Sequence, residues 1–136
     1  MSNKTGVLFD PTKNMTVRID TNLSSKEYYF VNFDATDDNV VNLATDQTLP
    51  CFILLQGADG SSTEKVGVIA LPGAVTKLKL AEAVTAGKFL VPTASGTAEI
   101  ANAAGERYGA IALENGALGD IIRVVAQLGE VEASDA

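Results

Sequence analysis

The chain has 136 residues, 46% of them apolar and 20% charged, enough for one buried core and too apolar for wholesale disorder. Ten Lys and Arg stand against 17 Asp and Glu, a net charge of −7, so the surface repels phosphate backbones and no nucleic-acid partner is expected. His and Trp are absent and Cys51 is the single cysteine. That removes the usual proton shuttle, the Cys–His dyad, the intramolecular disulfide and the Cys-rich zinc site, and with them most enzyme classes. No catalytic residue, cofactor or metal is expected.

Residues 1–14 read as an N-terminal arm, 15–129 as a single β domain, and 130–136 as an acidic tail carrying Glu130, Glu132 and Asp135. The N-terminus has no apolar stretch of signal-peptide length. The apolar runs are strand-sized, far from the roughly 20 residues that cross a bilayer, so synthesis in the cytoplasm and no membrane partner are expected. Within the arm, Val7, Leu8, Phe9 and Pro11 form an apolar segment with little to pair with locally. It is a candidate contact that orders on a partner subunit or a sister chain, or else an ordinary first strand.

From residue 15 onward, short β-like runs recur between turn signals. Met15–Asp20 alternates, with Met15, Val17 and Ile19 on one face. Tyr28–Phe33 is dense in aromatic and β-branched residues, and the turn formers of Asp34–Asn39 break it. Cys51–Gln56 is a strand entered through Pro50. Asp59-Gly60 then predicts a hairpin loop in which glycine supplies a positive φ. Lys65–Leu71 returns and stops at Pro72-Gly73.

The second half repeats the rhythm. Val75–Leu80, Lys88–Val91, Thr97–Ala101, Tyr108–Leu113 and Ile121–Leu128 are strands, punctuated by Gly87, Ser95-Gly96, Gly105, Asn115-Gly116 and Gly119-Asp120. Leu80–Ala86 has good helix formers and is allowed one helical turn at most. Turn signals every 8 to 12 residues or so predict an all-β fold, a small β-sandwich or β-barrel with at most one short helix.

Candidate chemistry is thin. Asp34, Asp37, Asp38 and Asp46 are the densest acidic cluster, but calcium-loop spacing fails: Asn39 stands where the loop needs Gly and Thr45 where it needs a bidentate Glu. A solvated turn is the better reading. Cys51 enters an apolar run with no base beside it and reads as a buried structural thiol. Ser61, Ser62 and Lys65 lack the desolvation that a Ser/Lys pair needs.

Three further features bear on partners. Lys77, Lys79 and Lys88 read as a solvated strand face or as half of an interface with an acidic neighbour. Arg123 interrupts Ile121–Ala126, a run that otherwise reads as buried on both faces. It is therefore a candidate subunit contact through an ion pair, or an exposed edge position. Tyr28, Tyr29 and Tyr108 are candidates for a stacking platform, the feature that supports an alternative reading as a small β-barrel module binding a sugar or peptide.

The stretch from Leu80 to Val124 carries a recognisable order. Ala83-Val84-Thr85-Ala86-Gly87 opens it, Ser95-Gly96 turns, Gly109-Ala110-Ile111-Ala112 forms a strand, and Gly119-Asp120 turns into Ile121-Ile122-Arg123-Val124. This third of the chain resembles the tailed-bacteriophage capsid decoration proteins, also called cement or head-stabilising proteins. The resemblance implies a β-tulip-like fold and a homotrimer rather than a dimer, bound outside an icosahedral head. There it would bridge major capsid protein subunits against the pressure of packaged DNA, with no enzymatic activity. An acidic, unreactive composition suits that role.

Overall fold

In a computed structural model, residues 13–132 are described. They form ten strands: β1 (Asn14–Ile19), β2 (Phe30–Phe33), β3 (Val41–Leu43), β4 (Phe52–Gln56), β5 (Lys65–Ala70), β6 (Val75–Lys79), β7 (Phe89–Pro92), β8 (Ala98–Ile100), β9 (Arg107–Ala112) and β10 (Ile121–Glu130). The fold is all-β, with two antiparallel five-stranded sheets, as the turn spacing predicts. Val7, Leu8, Phe9 and Pro11 lie outside the described residues.

The sheets are ordered β1-β5-β4-β2-β3 and β6-β10-β9-β7-β8. Adding five to each strand of the first order gives the second, so the chain is two tandem units with one topology. Each sheet curls until its outer strands meet, through parallel bridges Arg18–Val40 and Leu80–Ala98. Such curling blunts exposed strand edges. Antiparallel bridges Asn22–Asp59 and Val84–Gly116 recur at matching places.

The match extends to single bonds. Tyr28 N donates to Leu54 O at 2.7 Å, and Gly87 N donates to Ala112 O at 2.8 Å. Ala44 N to Phe30 O is repeated by Ala101 N to Phe89 O, both 2.9 Å. Asp34 N to Val40 O is repeated by Thr93 N to Thr97 O, both 2.8 Å. The left-handed positions also coincide: Tyr28 (φ 69°) with Gly87 (φ 91°), and Asn39 (φ 63°) with Gly96 (φ 83°). Asn tolerates that conformation, whereas Tyr adopts it only when the surroundings impose it.

The register pairs the two cores residue by residue. The interior of the first unit is Val17, Ile19, Leu23, Val31, Val41, Leu54 and Ile69. Their counterparts Leu78, Leu80, Val84, Leu90, Ala98, Ala112 and Val124 fill the second. That second core runs on into Phe30, Ala44, Cys51, Ile53 and Ala70, which lie on the outer face of the first sheet. The second unit therefore docks on the back of the first through continuous apolar packing.

Backbone and side-chain bonds fix the docking. Phe30 N donates to Gly96 O (2.8 Å), Lys79 N to Tyr28 O (2.9 Å) and Arg107 N to Gln47 O (2.7 Å). The Gln47 amide donates to Pro92 O (3.1 Å) and to Glu99 Oε1 (2.6 Å). Gly109 is required here, because a Cβ would run into Cys51 Sγ, Cys51 O and the Phe30 ring.

The structure adds one strand, resolves one open reading and changes two expectations. β3 is a strand that the sequence pattern conceals among asparagines. Leu80–Ala86 takes no helical turn and runs as an irregular link held by the Val84–Gly116 bridge. Gly60 does not adopt a positive φ; a Cβ there would overlap the Ile19 carbonyl, so the requirement is close backbone approach. β10 is buried on one face only: Ile122, Val124 and Ala126 point inward while Ile121 and Arg123 are exposed.

Candidate functional site

The acidic turn works as a structural staple. Asp34 Oδ1 accepts from Thr36 N and Thr36 Oγ1 (both 2.8 Å) and from Asp37 N (3.4 Å), and Oδ2 accepts from Asn42 Nδ2 (3.1 Å). These bonds favour the charged carboxylate and hold its pKa down to about 2. Asp46 with Thr48, and Asp59 with Ser61, repeat the device, and each carboxyl is lowered by its hydroxyl and amide donors. Ser61 is thereby committed to Asp59. No group of three His, Cys, Asp or Glu side chains able to hold a metal occurs among the described residues.

Cys51 is fully buried, and desolvation pushes its thiol up to about 12. It is inert at neutral pH because the thiolate is the reactive form.

The tyrosines are engaged separately. Tyr108 stacks on Phe89, with centroids 4.4 Å apart at 16°. The Tyr29 ring carries the Lys26 ammonium at 4.8 Å and the Lys79 ammonium at 5.7 Å. No ring pair among the described residues joins Tyr28, Tyr29 and Tyr108 into a platform.

Arg123 lies on β10, which sits between β6 and β9, so it is not an edge position. Its side chain is 65% exposed on the outer face, 3.7 Å from Glu114. Lys77 is its direct cross-strand partner. Like charges placed opposite one another repel, which keeps both side chains turned to solvent. Exposed Val75 and Ile121 flank them, at 67% and 48%.

Among the described residues a concavity lies at the open end of the first unit. Asn32, Phe33, Leu49, Pro50 and Phe52 line a hollow of about 240 Å³. Phe33 and Phe52 meet edge-to-face at 5.3 Å, and Asn32 Nδ2 donates to Pro50 O at 2.8 Å, fixing the rim. Phe33 is 37% and Leu49 46% exposed. The lining has no titratable group. It can bind an apolar surface but cannot transfer a proton or attack a bond. Sequence reading missed it, although Phe33 beside an acidic turn and Leu49 before Pro50 are apolar residues at positions where loops are usually polar.

No protein-family model and no curated protein matches the chain by sequence. Among solved structures the chain is similar to the crystal structure of the head fiber gp8.5 N base in bacteriophage phi29. The two superimpose with a TM-score of 0.65 at 18% identity, over 88% of this chain and 97% of that one. At that identity the likeness is one of fold.

Proposed function

We propose that the chain is a structural protein of a phage head, a decoration or cement protein on the outer shell surface that bridges major capsid protein subunits. The observation that carries this reading is the shared fold over 97% of a head-fibre base. The decoration-protein order from Leu80 to Val124 supports it from the sequence, and that stretch spans most of the second unit. The described surface offers an apolar hollow and charged faces, which suit adhesion. A protein that binds the assembled shell and not the loose subunits stabilises the shell by mass action, and many copies on one lattice multiply modest contacts. The proposed partners are the major capsid protein and other copies of the chain, as a homotrimer. No enzymatic activity is part of the proposal.

The likeness to a fibre base favours one related reading, in which the chain anchors an appendage without reinforcing the shell. One experiment serves both. Expanded heads lacking the chain are mixed with purified protein, pelleted, imaged by electron microscopy and heated. Binding outside the shell with a raised rupture temperature is expected of a cement protein; binding with no change in rupture temperature identifies an anchor. Failure to bind heads at any concentration overturns both.

A further inference from the structure

The tandem units leave two surfaces unmatched, and each is the counterpart of a surface that the chain itself already pairs. The paired surfaces are the back of the first unit and the open end of the second. The back carries Phe30, Ala44, Ile53 and Ala70, all buried. The open end brings the Gly96 turn, Pro92, Glu99 and Arg107 down onto it.

On the second unit, the counterparts of the back are Phe89, Ala101, Ile111 and Val125. All four are apolar and only half-buried. The exposed carbonyl of Gly87, counterpart of Tyr28 O, has no hydrogen-bond partner among the described residues, whereas Tyr28 O accepts from Lys79 N. On the first unit, the counterparts of the open end are the Asn39 turn, Phe33, Asn42 and Leu49. Phe33 and Leu49 are the exposed rim of the 240 Å³ hollow. Among the described residues neither surface is covered; the Arg18 amide, counterpart of Lys79 N, already donates to Asn39 O (2.7 Å), so a repeat of the contact rests on the apolar faces and the charges.

We propose that the open end of the first unit of one chain docks on the back of the second unit of another copy, repeating between chains the contact that joins the two units within a chain.

The charges agree with this occupant. The turn of the first unit carries Asp37 and Asp38 beside Asn39, all exposed. Superimposing the internal contact puts that turn next to Phe89, whose neighbour Lys88 is exposed, and Arg123 and Lys77 lie on the same outer face. Arg18 offsets part of the turn's charge through its bond to Asp38 O (2.7 Å), and Glu114 part of Arg123's, but the excess is acidic on the turn and basic on the facing surface, which favours a second copy of this acidic chain in that orientation. The contact is head-to-tail, so it repeats: each copy presents one donor end and one acceptor back, and the assembly closes into a ring when the rotation permits. The inference rests on the internal repeat and on these charges, and it stands whether or not the partner is a phage shell.

The test is analytical ultracentrifugation of the full chain with two variants, Phe33→Glu at the donor end and Ile111→Arg at the acceptor back. The wild type is expected to sediment as an oligomer at micromolar concentration, and each variant as a single chain with an unchanged circular dichroism spectrum. Mixing the two variants restores one intact donor and one intact acceptor, and a species of twice the chain mass is expected. Lys88→Glu is expected to weaken association about threefold to tenfold, an effect that salt mimics. Leu49→Asp replaces Phe33→Glu, and Val125→Arg replaces Ile111→Arg, should either variant unfold. A monomeric wild type, an oligomer indifferent to both substitutions, or variants that stay monomeric when mixed would each overturn the proposal.

Discussion

The two units place different side chains on one backbone plan. Val17 and Val31 in the first become the larger Leu78 and Leu90 in the second, while Leu54 and Val41 become Ala112 and Ala98. These four exchanges remove more volume than they add, and Ile122, standing where the first unit has Gly67, fills part of the difference; no interior pair keeps its residue, yet both interiors stay buried. The outer faces diverge for another reason. The same strand positions are buried in the first unit and half-exposed in the second, because among the described residues only the first has a neighbour on its back. Burial here is decided by what docks on a sheet, beyond the residue the sheet presents.

That contrast can be broken most sharply at one matched pair. Phe30 is fully buried at the junction, so Phe30→Ala is expected to cost about 3–5 kcal/mol in urea denaturation. Phe89→Ala, at the equivalent place, should cost about 1–2 kcal/mol when measured on dilute protein. Equal costs would mean that the two faces are equally packed and that the burial difference carries no energy.

The junction can be probed from its other side. Gly109→Ala places a methyl against Cys51 and the Phe30 ring. Overpacking of this kind is expected to cost about 1–3 kcal/mol and to lower the melting temperature. The adjacent cores should be untouched, so hydrogen exchange should rise first around Phe30 and Arg107. Protection that fell uniformly would show that the units unfold as one cooperative block.

The rhythm of strands and turns was legible because alternation and turn residues are local properties. Met15–Asp20 and Tyr108–Leu113 came out within a residue of β1 and β9 at each end. The tandem plan was concealed. Its seven core pairs conserve apolar character and little else, and the spacing drifts from 61 residues between Val17 and Leu78 to 55 between Ile69 and Val124. No fixed period survives such loop changes. The hollow was invisible for a related reason: Phe33 and Phe52 lie 19 residues apart and meet only because β4 returns beside β2. Arg123 was visible as an anomaly, but whether it lay at an edge or on an open face depended on strand order, which local pattern does not contain.

Backbone strain offers a smaller contrast. Gly87 has a positive φ, and a Cβ there would meet nothing within 4 Å. Gly87→Ala therefore isolates the conformational cost, expected near 1 kcal/mol. The first unit already bears that cost at Tyr28, so Tyr28→Gly should recover part of it, less the packing of a half-buried ring. Thermal melts of the two variants should move in opposite directions, or at least differ by the strain. A neutral Gly87→Ala would show that the left-handed geometry is not required for the fold.

The finest contrast is electrostatic, and it separates the units by acid alone. Asp34 and Thr93 occupy the same turn position: Thr36 N donates to the Asp34 carboxylate, as Ser95 N donates to Thr93 Oγ1 at 3.2 Å. Only the first of these titrates. The Asp34 pKa falls from 3.8 to about 2 on folding, so its contribution is fully present above pH 3.8 or so and is lost as pH drops through about 2. Acidification over that window should loosen the Asp34–Asn39 turn while leaving the Thr93–Thr97 turn in place. Amide chemical shifts and exchange at Thr36 and Asp37, compared with Ser95, read this directly. Asp34→Thr should make the two turns respond alike, because the hydroxyl keeps an acceptor for the Thr36 amide and removes the proton equilibrium. If the Thr36 amide moved with pH as before in that variant, the carboxylate of Asp34 would not be the group that holds the turn.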